Sequence, residues 1–168
     1  KVTSQLNETN SQLAQIVTNV KSFGAIGDGE SHPLSERYQY LSQAKEVYPH
    51  AYSLNNELDW CAIQSAVNFV VEQGGGIVYL PPGRYVTSDT IELESNVELA
   101  GAGMYLSTFF PNYLGANVFQ NLIRANGSDA DRMKNVIVRD FGIDGSNVEG
   151  WQTERGFEVG QWARINVS

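Results

Sequence analysis

Two aspartates near the end of the chain, Asp140 and Asp144, have the type and spacing best suited to chemistry. Acid–base work on a glycosidic bond generally needs two carboxylates about 5 to 10 Å apart. On a straight strand these two side chains would lie about 13 Å apart, so a corner is needed to bring them closer. The alternative is that both are turn residues that accept hydrogen bonds from the local backbone. Asp140 and Asp144 are the predicted catalytic pair, with that alternative open.

A change of side-chain parity predicts where the chain turns around these aspartates. The two valines of Val136–Val138 share one face of a strand, and the apolar residues of Phe141–Ile143 share the other. Because side chains alternate along a strand, this switch indicates a corner at Arg139-Asp140. Asp144-Gly145 is typical of the next turn.

Other side chains are candidates for contact with a sugar. Arginines could pair with an anionic sugar, and exposed aromatic rings could stack on a sugar ring. The arginines are Arg139, Arg155 and Arg164, and the aromatic residues are Tyr105, Tyr113, Trp151 and Trp162. A core or interface role is an equal alternative for the aromatic residues.

No metal site and no cofactor site is predicted. His32 and His50 have no partner at ligand spacing, and we expect both to be solvated loop residues. Gly101-Ala-Gly103 lacks the third glycine and the following helix of a dinucleotide loop, so it indicates a turn. Cys61, the single cysteine, lies among apolar residues and is predicted to be a small buried side chain.

Composition favours an all-β domain. The 168 residues are 42% apolar and only 18% charged, with 16 glycines, which suits strands and turns better than a helix bundle. A net charge of −8 argues against nucleic acid as a partner, since phosphate contacts require a basic face. No apolar run approaches the ~18 residues of a membrane span. The chain runs from Lys1 to a strand-like end at Ser168, so we expect a fragment of a longer protein.

Residues 1–20 carry a heptad-like pattern. The seam residues are spaced alternately by four and three, at Val2, Leu6, Thr9, Leu13, Ile16 and Val20. Leucine at a with isoleucine at d favours three or four strands over two. We predict a short coiled-coil stalk and a homotrimer, with a frayed amphipathic helix as the alternative, because about three heptads are marginal alone. Val20–Phe23 is then expected to form a short strand.

Three phrases between Ser22 and Gly103 carry a family resemblance. They are SFGAIGDG (22–29), DWCAIQSAVNFVVEQGGG (59–76) and IVYLPPGRYVTSDTIELESNVELAGAG (77–103). In this order they resemble the start of the pectate-lyase-like right-handed parallel β-helix superfamily, which holds polysaccharide lyases, glycoside hydrolases and phage tailspikes. The resemblance implies that this chain forms the first coils of a β-helix. It also implies that the working acids sit mostly on later coils.

The second phrase predicts a helix over 57–73. Asn55 or Asn56 can cap it, and Glu57 and Asp59 fall in the first turn, where the helix dipole favours negative charge. One apolar stripe follows at helical spacing, at Ile63, Ala66, Val67, Val70 and Val71. The resemblance implies that this helix covers the open end of the solenoid. The stretch before it, 30–56, is predicted to be an inserted loop with a small helix.

From Ile77 onward, short strands alternate with turns. The strand starts Asn96-Val97, Asn117-Val118 and Asn135-Val136 recur at intervals of 21 and 18 residues. A loose period near 20 is typical of β-helix coils, with asparagines stacked at the corners. Three coils are expected, with residues 147–168 supplying a fourth.

These patterns predict an all-β, right-handed parallel β-helix with an N-terminal capping helix, where 1–20 is a coiled-coil stalk and 21–168 is the N-terminal part of the β-helix domain. The predicted function is that of a phage tailspike or appendage protein in the virion, which trimerises and positions the β-helix to bind host cell-surface polysaccharide. The alternatives are an extracellular polysaccharide lyase or glycoside hydrolase of the same superfamily, and a purely structural fibre module. Whether the chain serves an enzyme stays open.

Overall fold

The computed structural model describes residues 16–112, 123–125 and 133–146, and the backbone of two later strands. The strands are β1 Val17–Asn19, β2 Gly76–Leu80, β3 Gly83–Thr87, β4 Ile91–Leu93, β5 Val97–Gly101, β6 Ser107–Pro111, β7 Ile123–Ala125, β8 Val136–Arg139, β9 Gly142–Ile143, β10 Phe157–Val159 and β11 Ile165–Val167. The helices are α1 Leu41–Val47 and α2 Leu58–Glu72, with short 3-10 helices at Val20–Phe23 and Leu34–Glu36. None of the helices in these ranges has the length and apolar character to cross a bilayer.

The strands form three parallel sheets. Sheet A has the order β1-β2-β5-β8-β11, sheet B the order β3-β6-β9, and sheet C the order β4-β7-β10. The chain therefore visits the three sheets in turn, so that coil 1 is β2–β4, coil 2 is β5–β7 and coil 3 is β8–β10. Each strand pairs in parallel with its counterpart on the next coil. This arrangement confirms the predicted parallel β-helix.

The core lies inside the coils. In β2, β4, β6, β7 and β8, alternate side chains point inward and are buried, and the outward ones are partly exposed. The largest buried side chains of the coils are Leu80, Tyr85, Ile91, Leu99, Phe109 and Ile123. Tyr85 satisfies its hydroxyl by donating to the Pro81 carbonyl oxygen at 2.7 Å, as a buried phenol requires.

The length of the second coil differs from the prediction. Asn135 Nδ2 donates to Asn96 Oδ1 at 2.9 Å, and these stacked corner residues are 39 positions apart. Both have positive φ, 66° for Asn96 and 57° for Asn135, a conformation that asparagine tolerates better than most residues. Asparagine stacking is thus confirmed for this pair, but the period near 20 is wrong here because coil 2 carries extra residues after β6. Asn117-Val118 lies outside the described residues.

Helix α2 packs against the first coil. Ile63, Ala66, Val67 and Val70 are buried, as the apolar stripe predicts. Trp60 Nε1 donates to the Thr90 carbonyl at 3.0 Å, and Gln64 Nε2 donates to the Glu92 carbonyl at 3.1 Å. These bonds join the helix to strand β4 and to the turn before it.

The N-cap of α2 is Glu57, rather than Asn55 or Asn56. Asn56 is used elsewhere, because its Oδ1 accepts hydrogen bonds from Tyr52 N and Ser53 N. The Glu57 N–H donates to Ser88 Oγ at 2.8 Å. The predicted asparagine cap is therefore wrong: the helix starts after Glu57, which makes no side-chain cap hydrogen bond.

The end of the predicted stalk is not helical. Val17–Asn19 is strand β1, which pairs in parallel with β2 at the edge of sheet A, and Val20–Phe23 is a 3-10 helix rather than a strand. Pairing to an existing sheet edge decides the local structure here, and the β-branched Val17 and Thr18 suit it. Residues 1–15, which hold most of the heptad pattern, lie outside the described part of the chain.

The predicted small helix in the 30–56 insert is present as α1. Ala44 and Tyr48 are buried there. Tyr48 donates its hydroxyl hydrogen to the Phe23 carbonyl at 2.9 Å. The insert is therefore tied to the segment that precedes the first coil.

Candidate functional site

Asp140 and Asp144 lie at successive corners of coil 3. Asp140 follows β8 with φ 60°, and its carbonyl oxygen accepts from Gly103 N at 2.8 Å. A Cβ at Gly101 would collide with that carbonyl oxygen, so glycine is required beside the corner. Asp144 follows β9, and its N–H donates to the Phe109 carbonyl at 2.9 Å. Both corners are where side-chain parity predicts them.

Asp144 belongs to a row of side chains that crosses three coils on the outer face of sheet B. Arg84 of β3 donates from Nη2 to Asp144 Oδ2 at 2.8 Å. Its guanidinium carbon lies 3.6 Å from the ring centroid of Phe110 on β6, which is within cation–π range. Arg84 and Asp144 remain about 40% exposed. We call Arg84, Phe110 and Asp144 the sheet B row.

The surroundings of Asp144 favour its charged form. Its Oδ1 accepts from Ser146 N at 3.0 Å, and hydrogen bonds from Ser146 together with the Arg84 charge lower the pKa of Asp144. A general acid needs the opposite shift. Asp144 is therefore suited to act as a base, or to bind a sugar hydroxyl, and not to protonate a leaving group.

Asp140 belongs to a second charged group on the outer face of sheet A. Arg139 pairs with both Asp140 and Glu98, and its Nε donates to Glu98 Oε1 at 2.7 Å. The hydrogen bonds to Asp140 and then to Glu98 raise the pKa of Arg139. Arg139, predicted as a partner for an anionic sugar, is thus already bound to two carboxylates of the chain.

A third pair on sheet C completes a pattern. Arg124 of β7 binds Glu92 of β4, with Nε donating to Oε2 at 2.9 Å. Each of the three faces therefore carries one arginine that pairs with a carboxylate on another coil, at Arg84–Asp144, Arg124–Glu92 and Arg139–Glu98. These pairs are not apparent from the sequence, because the 39 residues between Asn96 and Asn135 obscure the register of the coils.

The remaining predicted residues divide into three groups. Tyr105 is 88% exposed in the turn before β6, so its ring is free to stack. Cys61 is fully buried, and burial raises the pKa of its thiol to about 12, which confirms the small buried side chain. The others lie outside the described residues: Tyr113, Trp151, Arg155, Trp162 and Arg164.

The two histidines are not the solvated loop residues that we expected. His32 bridges Asp28 and Glu36, with 3.0 Å from Nε2 to Asp28 Oδ2 and 3.0 Å from Nδ1 to Glu36 Oε2. His50 has buried ring nitrogens and packs edge-on against Trp60. Within the described ranges, no cluster of histidine, cysteine and carboxylates could hold a metal ion.

Asp59 and Glu57 are buried carboxylates that each accept several hydrogen bonds, a role that the sequence did not predict. Asp59 accepts from Ile26 N at 2.6 Å, from Gly27 N at 3.2 Å and from Val86 N at 3.0 Å. Glu57 accepts from Ser31 Oγ, His32 N and Asn112 Nδ2. Both are almost fully buried, and together they fasten the SFGAIGDG loop and the insert to the first coils.

The stack of parallel coils defines the class of protein, a parallel β-helix of the pectate-lyase-like kind. The family model for rhamnogalacturonase A/epimerase, pectate lyase-like, matches residues 57–162, so the chain belongs to that family. The matched range runs from the N-cap of α2 to the segment between β10 and β11.

Relatives of two kinds are similar to this chain. The mannuronan C5-epimerase AlgE6 of Azotobacter vinelandii is 32% identical over 146 residues, which cover 79% of this chain and 14% of that protein. The structure of its A-module matches with a TM-score of 0.60 at 26% identity, covering 90% of this chain and 36% of the module. The tailspike protein gp49 from Pseudomonas phage LKA1 matches with a TM-score of 0.54 at 36% identity, covering 66% of this chain and 18% of that protein. The chain thus spans a small part of each relative.

Proposed function

We propose that this chain is the N-terminal portion of a β-helix protein that binds cell-surface polysaccharide in the manner of a phage tailspike or appendage. The single observation that carries the proposal is the sheet B row. The guanidinium of Arg84 lies over the Phe110 ring and binds the Asp144 carboxylate, and the Arg84 and Asp144 side chains stay 43% and 39% exposed. Strands of neighbouring coils are about 4.8 Å apart, so the row gathers these groups across three coils on the outside of the solenoid.

The relatives support a polysaccharide as the ligand. A mannuronan epimerase and an alginate lyase of Azotobacter vinelandii are named for polysaccharide substrates, and they align with 79% and 51% of this chain. Solved structures of phage tailspikes share the same fold. Location in a virion, homotrimer formation and a stalk over the residues that precede β1 belong to this proposal, and an extracellular enzyme is its alternative.

The capping role of α2 is part of the proposal. An uncovered end of a solenoid would expose apolar core and unpaired strand edges. The buried stripe of Ile63, Val67 and Val70 faces coil 1, which supports α2 as the cover of that end.

The enzymatic alternative is favoured by the likeness to the epimerase, and it places Asp140 and Asp144 in an active site of a lyase, a hydrolase or an epimerase. In this alternative Asp144 is a base or a contact to a sugar hydroxyl, since its pKa is lowered. A group with a raised pKa must then act as the acid. The second carboxylate or its equivalent would come from a later coil, as in the enzymes of the superfamily.

The test is incubation of the full-length protein with a panel of polysaccharides that includes mannuronan. Retention of the protein on an immobilised glycan measures binding. New reducing ends, unsaturated-sugar absorbance and changed C5 configuration report hydrolase, lyase and epimerase activity respectively. We expect Arg84→Ala to weaken glycan binding by about tenfold, the effect of one lost charge-assisted contact of roughly 1.4 kcal/mol.

Asp140→Asn and Asp144→Asn test whether these aspartates act in catalysis, because each keeps the side-chain volume and removes the charge. If the chain serves an enzyme through these residues, turnover is lost while the melting temperature changes little. Unchanged turnover in both variants would remove them from the active site, and absence of binding to every glycan in the panel would favour the purely structural fibre module.

A further inference from the structure

A polar cleft lies between the insert and the first two coils, and no residue of the sheet B row lines it. It encloses about 180 Å³ and is lined by Tyr52, Ser53, Asn55, Asn56, Ser88 and Asn112. Pockets for drug-sized ligands are roughly 300–1,000 Å³, so this cleft suits a smaller molecule, about one ring in size. Each lining side chain bears a hydroxyl or an amide.

The walls of the cleft are held in place before any ligand arrives. Asn56 Oδ1 accepts from Tyr52 N at 3.0 Å and from Ser53 N at 2.9 Å, which fixes the turn of the insert. Ser88 Oγ accepts from Glu57 N at 2.8 Å, which joins the opposite wall to the start of α2. A preorganised site loses little conformational entropy on binding.

The cleft offers hydrogen-bond donors and acceptors side by side. Ser53 Oγ accepts from Asn55 N at 3.1 Å, and Ser88 Oγ accepts from Glu57 N. A serine hydroxyl that accepts in this way keeps its own proton to donate. Asn112 Nδ2 donates to Glu57 Oε1 at 3.1 Å, which orients that amide. Sugar hydroxyls both donate and accept, so they match such a lining.

The charge around the cleft selects against anionic ligands. No lysine or arginine is among the lining residues. Two carboxylates stand next to it, since Tyr52 donates its hydroxyl hydrogen to Asp89 Oδ2 at 2.7 Å and Asn112 binds Glu57. A carboxylated sugar would meet like charge there. The lining residues also include no aliphatic side chain, which disfavours an apolar peptide.

We propose that this cleft binds one uncharged sugar ring, with its hydroxyls bonded to Ser53, Ser88 and the amides of Asn55 and Asn112, and one face against Tyr52. The ligand class differs from the mannuronan and alginate of the relatives' names, which are polymers of uronic acids. Asp140 and Asp144 are not among the residues that line the cleft, and the proposal requires no catalysis by them.

The experiment is saturation-transfer NMR and calorimetry on the full-length protein. The probes are the methyl pyranosides of glucose, galactose, mannose and rhamnose, compared with oligomannuronate. We expect at least one neutral pyranoside to bind at millimolar concentration and oligomannuronate to bind the cleft more weakly. Asn55→Ala and Tyr52→Ala should each weaken neutral-sugar binding at least tenfold, and Tyr40→Ala, at an exposed tyrosine that does not line the cleft, should leave it unchanged.

Asn55→Ala is the decisive variant, because the Asn55 side chain is exposed and its removal should leave the melting temperature intact. The proposal is overturned if no neutral pyranoside binds, if Asn55→Ala binds like the parent protein, or if oligomannuronate competes for the cleft more strongly than the neutral sugars. Loss of polysaccharide binding in Arg84→Ala with intact pyranoside binding would show the two sites to be separate. The failure of either proposal can thus be distinguished from the failure of the other.

Discussion

Single buried carboxylates organise the start of this molecule. Asp59 receives three backbone N–H groups from two separate segments, the SFGAIGDG loop and strand β3. Burial raises the pKa of Asp59, while hydrogen bonds from Ile26, Val86 and Gly27 act in the other direction. The carboxylate thus substitutes for water at three donors that would otherwise be buried alone.

Replacing Asp59 should therefore cost much of the stability of the domain. Asp59→Ala leaves three buried N–H groups without an acceptor, at about 1–3 kcal/mol for each, so we expect a loss of at least about 3 kcal/mol. Chemical denaturation with circular dichroism measures it. Asp59→Asn keeps one carbonyl acceptor, so its stability should lie between that of the parent protein and that of Asp59→Ala. A parent-like midpoint for Asp59→Ala would show that these bonds contribute little.

His32 should make the stability of the insert depend on pH. Hydrogen bonds to Glu36 and then to Asp28 raise the pKa of His32 above 6.5. The folded state therefore holds the proton more tightly than the unfolded state, so the stabilisation is complete below pH 6.5 and is lost as pH rises through the folded pKa.

Hydrogen exchange of the insert at pH 6 and pH 8.5, corrected for intrinsic rates, measures this effect. We expect protection to fall at the higher pH in the parent protein and to fall less in His32→Gln. Burial lowers the pKa of His50, so its effect on stability has the opposite pH dependence to that of His32. His50→Gln therefore serves as the control. Equal pH dependence in the parent and His32→Gln would contradict the prediction.

Helix α2 shows what one element contributes to the stack. Its buried stripe meets coil 1, and Trp60 and Gln64 bond to the backbone at and before β4. If α2 covers the open end as proposed, a charge placed on its buried stripe would have neither an ion-pair partner nor access to water.

Val67→Asp or Val70→Asp should accordingly unfold the first coils, at a cost of about 3–5 kcal/mol for an unpaired buried charge. Thermal melting and solubility of each variant measure the effect. Asn68→Asp adds the same charge on the exposed side of the same helix and should melt like the parent protein. Normal solubility with unchanged melting in Val67→Asp would refute the capping role.

At the level of elements, the sequence predicted most strands but not the path of every segment. The helix over 58–72 and the turn at Pro81-Pro82 follow from local periodicity and from proline's missing N–H. The structure of Val17–Asn19 could not be read locally, because a heptad pattern and an edge strand compete there and the partner, Ile77–Tyr79, is distant. The length of coil 2 could not be read either, because its extra residues follow no repeat.

The candidate sites were predictable only in part. Corners at Asp140 and Asp144 follow from the parity of neighbouring side chains. The ion pair of Arg84 with Asp144 joins residues 60 positions apart, and Asn112 meets Glu57 across 55 positions. Such contacts depend on coil register, which the single sequence does not contain.

At the scale of the whole molecule, the prediction to be tested is the oligomeric state. We expect the protein to form a homotrimer through the stalk that the heptad pattern predicts. Deletion of residues 1–15, which leaves strand β1 in place, should yield monomers. Sedimentation of the intact and shortened proteins at equal concentration measures this. A trimer that survives the deletion would move the assembly role to the β-helix, and a monomer in both forms would contradict the tailspike proposal.

The position of α2 ahead of the coils has a consequence for how the protein comes to be folded. Each coil pairs only with its neighbours, and the pairs join residues far apart in sequence, a topology that folds slowly. Domains assemble from the N-terminus during synthesis, so α2 and coil 1 emerge first and present a ready edge to which coil 2 and then coil 3 add. We therefore expect folding to proceed from the N-terminus: an error in coil 1 would prevent coils 2 and 3 from adding, whereas an error in coil 3 would leave coils 1 and 2 folded.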